Sequence, residues 1–131
     1  MSSLQLKDSH IKIEKAFGSV PKTQGDPNQL KQVFLNLINN ATYAMQNEGI
    51  LKIDTWVGNG DIHVSVSDTG RGIPKELQPR IFEPFFSTKK DKGTGIGLSV
   101  SYKIIQSHNG RIEVLSQENE GSTFTVVLPV A

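Results

Sequence analysis

The strongest local constraint in this chain is one helix with a clearly marked beginning. Asp26 stands at the N-cap position, Pro27 follows at the first helical position and Gln29 falls at N3, which together make a capping-box pattern. A helical period then runs to about Gln46, where Asn47, Glu48 and Gly49 end it. At about 100° per residue, Leu30, Val33, Phe34, Leu37, Ile38, Ala41 and Met45 share one broad arc. A helix with so wide an apolar face has to lie on another layer, and the rest of the chain must supply it.

The flanking segments read as that layer. Residues 10–17 alternate as a strand, with Ile11 and Ile13 set against Lys12 and Glu14, and residues 20–25 form a loop. Residues 50–57 and 61–67 are strands rich in β-branched side chains, joined by Gly58-Asn59-Gly60 as a hairpin turn. A glycine-rich stretch from Asp68 to Gly72 precedes a short helix begun by Pro74. Residues 81–97 show no period and are full of Pro, Gly, Ser, Thr and Lys, which in a compact domain marks either a functional lid or disorder. A helix over 97–108 is closed by Asn109-Gly110, and residues 111–116 and 122–128 make a last hairpin around 118–121. The order predicts an α/β fold of the two-layer α+β kind. About five strands form a mixed, mainly antiparallel sheet, with about three helices on one face and a flexible lid. A chain of 131 residues is expected to be one domain spanning 1–131.

Composition removes several functions. The chain has no cysteine, so disulfides and thiolate metal sites are excluded. A net charge of +1 with both signs interspersed lacks the basic stripe of a nucleic-acid binder. No apolar run approaches the roughly 20 residues of a membrane span, and the first residues do not read as a signal peptide. The expectation is a soluble domain with no nucleic-acid partner and no direct membrane contact.

Four segments carry candidate chemistry. Asn36 and Asn40 stack one turn apart on the border of the apolar arc, with Gln29, Gln32 and Tyr43 nearby. Such amides are either solvated or capping groups, or a pair that presents oxygens and NH2 groups to a hydrated Mg2+ and phosphates. Asp68-Thr69-Gly70-Arg71-Gly72 follows a strand directly. It is either an ordinary turn, or a carboxylate that accepts from an exocyclic amine while Gly70 and Gly72 let backbone approach a flat ring. Gly93-Thr94-Gly95-Ile96-Gly97-Leu98 leads into a helix and exposes backbone N–H groups at its positive end, a phosphate site. It is neither a P-loop nor a dinucleotide fingerprint, since no Lys follows Gly97 and the glycine spacing is wrong. Ile81-Phe82-Glu83-Pro84-Phe85-Phe86 places three phenylalanines in a polar loop, either as packing or as the hinge of a lid.

In this order the four segments resemble the N, G1, F and G2 boxes of the histidine-kinase ATP-binding domain, from the superfamily shared with the DNA gyrase and MutL ATPases. Gly121-Ser122-Thr123-Phe124 is similar to the family's last glycine motif, and Phe85-Phe86-Ser87-Thr88-Lys89 resembles the nitrogen-regulation branch. The resemblance spans about residues 10–129 and implies ATP and Mg2+ as cofactors. Asn40 would ligate Mg2+, with Asn36 supporting metal or phosphates. Asp68 would bind the adenine amine, with Gly70, Gly72 and Ile73 around the base and Thr123 beside Asp68. Phe82, Lys89, Gly93, Thr94, Gly95, Ile96, Gly97 and Leu98 would belong to the lid and the phosphate site.

Two departures matter. Asn36 stands where the gyrase-like hydrolases hold a water-activating glutamate, and an amide is no general base at neutral pH. Ala44 stands where many sensor kinases have an aromatic residue, with Tyr43 one position earlier. None of His10, His63 or His108 lies in the phosphoacceptor pattern, and all three read as structural or surface residues, His108 with a partial positive charge at a helix end. The resemblance thus implies a cytoplasmic, monomeric catalytic domain. It would donate the γ-phosphoryl group to a histidine on a separate helical dimerisation domain, with a response regulator downstream. A gyrase-type ATPase and a nucleotide-sensing interaction module are the alternatives.

Overall fold

The computed structural model describes residues 10–17, 25–46, 48–83 and 97–130. The elements are β1 (His10–Phe17), α1 (Pro27–Met45), β2 (Glu48–Gly58), β3 (Asp61–Asp68), a 3-10 helix (Lys75–Arg80), α2 (Gly97–Ser107), β4 (Arg111–Gln117) and β5 (Gly121–Pro129). The strands form one five-stranded sheet in the order β1-β2-β3-β5-β4. β1 and β2 pair in parallel, because the connection between them passes through α1, whereas the β2–β3, β3–β5 and β4–β5 pairs are antiparallel. This is the mixed, mainly antiparallel sheet expected from the element order.

Both α-helices lie on one face. Val33, Leu37, Ala41 and Met45 of α1 and Ile105 of α2 bury against Leu51, Val66, Ile112, Phe124, Val126 and Leu128 of the sheet. Leu30, Phe34 and Ile38, the rest of the predicted arc, pack on that core while half-buried. Where β2 turns into β3, Asn59 and Gly60 both adopt positive φ (55° and 78°), the pattern of a tight two-residue hairpin turn. The predicted short helix after Pro74 is a 3-10 helix instead. Pro79 inside it has no N–H to give an α-type bond, and Leu77 N–H closes an i→i+3 bond to Pro74 O (2.9 Å).

The helix start behaves as expected in one half only. Asp26 accepts from the N–H groups of Asn28 (2.9 Å) and Gln29 (3.3 Å). The return bond of a capping box is absent, since Asp26 N–H donates to Nε2 of His108 (3.0 Å). Nε2 therefore carries no proton, and Nδ1–H donates to Ile104 O (2.7 Å). His108, just after α2, is a structural pin between the two helices, in keeping with its expected structural role. His108→Ala is expected to lower stability by about 1 kcal/mol, read from the urea midpoint at neutral pH; an unchanged midpoint would show that the pin carries no free energy.

No helix among the described residues is long and apolar enough to cross a membrane. The glycine-rich stretch 84–96, with Pro84, Phe85, Phe86, Ser87, Thr88, Lys89, Gly93, Thr94, Gly95 and Ile96, lies outside the described residues, as does most of the 20–25 loop.

Candidate functional site

Strand alternation places Asp68 on the helix-covered face of the sheet. It ends β3, pairs with Leu51 on one side and Ser122 on the other, and is 7% exposed. Oδ1 accepts from Gly70 N–H (2.9 Å). Burial pushes its carboxyl above the ordinary 3.8, while the backbone N–H groups of Gly70 and Ser122 pull the other way. An ionised carboxylate has about four acceptor positions. Two N–H groups leave room for a further donor.

The floor of this corner is a closed polar network. Ile73 N–H donates to Ser116 Oγ (2.8 Å), Ser116 Oγ–H reaches Gly121 O (3.1 Å), and the hydroxyls of Ser116 and Ser122 lie 2.8 Å apart. Gln78 Nε2 donates to the carbonyls of Ile73 (3.0 Å) and Ser116 (3.3 Å), which fastens the 3-10 helix to the same corner. The glycines have a structural reason of their own. A Cβ on Gly70 would come within 2.6 Å of Ala44 O, and one on Gly72 (φ +71) within 2.1 Å of Gln117 O. They dock the turn against the end of α1 and the β4–β5 hairpin.

Thr123 does not sit beside Asp68. It pairs with Ser67, and their hydroxyls meet at 2.9 Å on the opposite face of the sheet. Side chains alternate along a strand, so the neighbour of Asp68 is Ser122, buried at 6%. The signal that finds it is the register Asp68↔Ser122.

The second wall is the polar edge of α1. Asn36 is half-buried and Nδ2 donates to Oγ of the fully buried Ser101 on α2 (3.2 Å), so it ties the two helices together. One turn later Asn40 is half-buried, and among the described residues its amide has no hydrogen-bond partner. Tyr43, another turn on, faces the Arg71 guanidinium, 5.0 Å from the ring centroid. Phe82 is half-buried, packs on the core and stacks on Tyr102 at 5.0 Å and 26°, so packing accounts for it. Ile73, ahead of the 3-10 helix, and Leu98, in the first turn of α2, also pack on the core, and Gly97 opens α2. Ser101, Ser122 and Arg71 were not among the sequence candidates; each is revealed only by its contacts across the fold.

Among the described residues no three His, Cys, Asp or Glu side chains gather as metal ligands. A divalent ion in this corner would rest on an amide oxygen, water and phosphate, the preference of Mg2+. Asn40 fits that role, and Asp68 with its spare acceptor capacity fits an amine-bearing base.

Residues 25–131 match the family model described as histidine kinase-, DNA gyrase B-, and HSP90-like ATPase. The chain belongs to this family. Within it, similarity runs to sensor kinases. It is 43% identical over 112 residues to sensor histidine kinase ZraS of Escherichia coli, covering 86% of this chain and 24% of that protein. It is 43% identical over 124 residues to sporulation kinase C of Bacillus subtilis, covering 93% of this chain and 29% of that protein. The chain therefore spans under a third of the length of these relatives. The catalytic domain of histidine kinase ThkA, solved without nucleotide, superposes with a TM-score of 0.85 at 35% identity, covering 97% of this chain and 85% of that one. Full-length ShkA in complex with AMPPNP gives 0.87 at 28% identity, covering 98% of this chain and 27% of ShkA. The fold is that of histidine kinase catalytic domains.

Proposed function

We propose that this domain binds ATP with Mg2+ and forms the ATP-donating half of a protein histidine kinase. The observation that carries the reading is Asp68, a buried carboxylate with open acceptor positions, held at a strand end on the same face as the amide edge of α1. Asp68 takes the exocyclic amine of adenine, with Gly70, Gly72 and Ile73 framing the base and Ser122 beneath it. Asn40 supplies an amide oxygen to the metal, while Asn36 braces that edge through Ser101. Mg2+, when bound, neutralises phosphate charge and orients the chain of phosphates.

Asn36 cannot accept a proton at neutral pH, so this edge does not activate water for hydrolysis. The residues present hold and orient the nucleotide, and a histidine nitrogen from a separate helical domain attacks the γ-phosphorus. The new N–P bond forms as the bond to the β-phosphate oxygen breaks and ADP leaves. The partners are thus the phosphoacceptor domain of the same kinase and, through it, a response regulator, in the cytoplasm. The 93–97 glycine stretch and Lys89 complete the phosphate side, and one domain, 1–131, carries these parts as a monomer.

Calorimetric titration with AMPPNP, with and without Mg2+, tests this reading. Micromolar-range binding strengthened by Mg2+ is expected, and absence of binding overturns it. Asn40→Ala is expected to cost roughly tenfold to a hundredfold in Mg2+-dependent affinity and to leave Mg2+-free binding unchanged. Equal affinity of both proteins in Mg2+ would remove Asn40 as the ligand.

A further inference from the structure

The dipeptide Asn-Gly occurs twice in this chain, at 59–60 and at 109–110, and the fold places the two copies in different surroundings. The pair is reactive because glycine has no side chain to shield its amide nitrogen from the carboxamide before it. Asn59 and Gly60 are exposed at the tip of the β2–β3 hairpin. Among the described residues no hydrogen bond holds the Gly60 N–H, and a Cβ at Gly60 would meet nothing within 4 Å. Asn109 and Gly110 instead close α2. The N–H of Asn109 donates to Gln106 O (3.0 Å) and that of Gly110 to Ile105 O (2.9 Å). Gly110 is also packed against the sheet, since a Cβ there would stand 2.3 Å from Val127 O. Both asparagines have left-handed φ (55° and 63°). Attack on either carboxamide requires the asparagine to rotate out of that conformation. At Asn59 this takes only fraying of a free hairpin tip, whereas at Asn109 it breaks a helix cap seated on the sheet.

We propose that Asn59 is the site at which this domain deamidates, and that the fold protects Asn109. The Gly60 nitrogen attacks Cγ of Asn59, and the new N–C bond closes a succinimide ring. The Cγ–Nδ2 bond breaks, and Nδ2 leaves as ammonia with the proton given up by the Gly60 nitrogen. Water then opens the ring at either carbonyl, leaving aspartate or isoaspartate. Isoaspartate adds a CH2 to the backbone of a two-residue turn, which disturbs the Gly58↔Asp61 pair that the turn joins. Gly58 O also accepts from Nε2–H of His63 (3.2 Å), whose ring stacks on the chain's single tryptophan, Trp56, at 5.0 Å and 7°. Trp56 is therefore a reporter of the turn. Asp68 ends β3 at the far side of the sheet, about 23 Å along the strand from Asp61, so the candidate site stays out of reach of the change.

The test ages wild type and Asn59→Gly in mildly alkaline buffer, folded and in urea, and follows tryptic peptides by mass spectrometry. Asn59 falls in peptide 53–71 and Asn109 in peptide 104–111, so the two sites separate. In folded wild type, 53–71 is expected to convert from amide to acid at least roughly tenfold faster than 104–111. An isoaspartyl form of 53–71 is expected by chromatography, with Trp56 emission shifting in step. In urea the two rates are expected to converge. Asn59→Gly, which keeps the left-handed turn, is expected to show neither the conversion nor the emission shift. Equal rates in the folded protein, or faster conversion of 104–111, would overturn the proposal. So would a rate ratio that persists in urea, which would assign the difference to neighbouring residues and not to the fold.

Discussion

Gly121→Ala is expected to destabilise the domain by about 2–6 kcal/mol, enough to unfold much of a protein whose total stability is about 5–15 kcal/mol. Two costs combine. Gly121 sits at φ +133, a conformation that L side chains rarely adopt, and an added Cβ would stand 2.1 Å from the carbonyl oxygen of Asp68. That oxygen belongs to backbone at the end of β3, so relief requires the β4–β5 hairpin to move away from the candidate site. Gly60→Ala is the matched control. Gly60 also has a positive φ (+78), but a Cβ there meets nothing within 4 Å, so only the backbone term of about 1–2 kcal/mol remains. Denaturant midpoints of the two variants decide the matter, and equal losses would mean that the steric contact with Asp68 is absent.

Asp68→Ala is expected to have the largest effect on binding, a loss of about 1–3 kcal/mol in affinity for ATP and for adenosine alike. Unchanged adenosine affinity would remove Asp68 from the base pocket. The same carboxylate leaves a signature in stability. Burial raises its folded pKa above 3.8, so the folded state holds the proton more tightly than the unfolded chain does. The charged form therefore costs stability above the raised value. That cost is relieved as pH falls through the raised value toward 3.8. Wild type should gain stability relative to Asp68→Ala over this window as the solution is acidified. A difference between the two proteins that is flat across the window would contradict a raised pKa.

The two experiments bear on one corner. The close approach of Gly121 to the Asp68 backbone keeps this corner tightly packed, and the backbone N–H groups of Gly70 and Ser122 keep the buried carboxylate from being unpaired. Rigid surroundings of this kind set a binding group in place before the ligand arrives. The His108 pin and the Asn36–Ser101 bond do the same for the facing helix, by fixing α1 to α2 at two levels.

Much of this was legible in the residues themselves. The N-cap at Asp26, the apolar arc from Leu30 to Met45 and the Asn59-Gly60 turn depend on neighbours within a few positions, so local chemistry specifies them. The order of Asn36, Asn40, Asp68 and the glycines along the chain likewise pointed to the family that residues 25–131 match. Other features were decided by surfaces that meet across the fold. The insertion of β5 between β3 and β4 sets Ser122, and not Thr123, beside Asp68. A one-residue difference reverses the face of a strand, and the glycine motif alone does not carry the register. Gly70 and Gly72 read as room for a flat ring, but the atoms nearest to them are Ala44 O and Gln117 O. His108 read as a structural or surface residue, but its partner, a backbone N–H 82 positions away, is decided by the fold. Hydrogen bonds and close packing act over a few ångströms of space whatever the separation along the chain, and only the assembled layers bring such partners within that range.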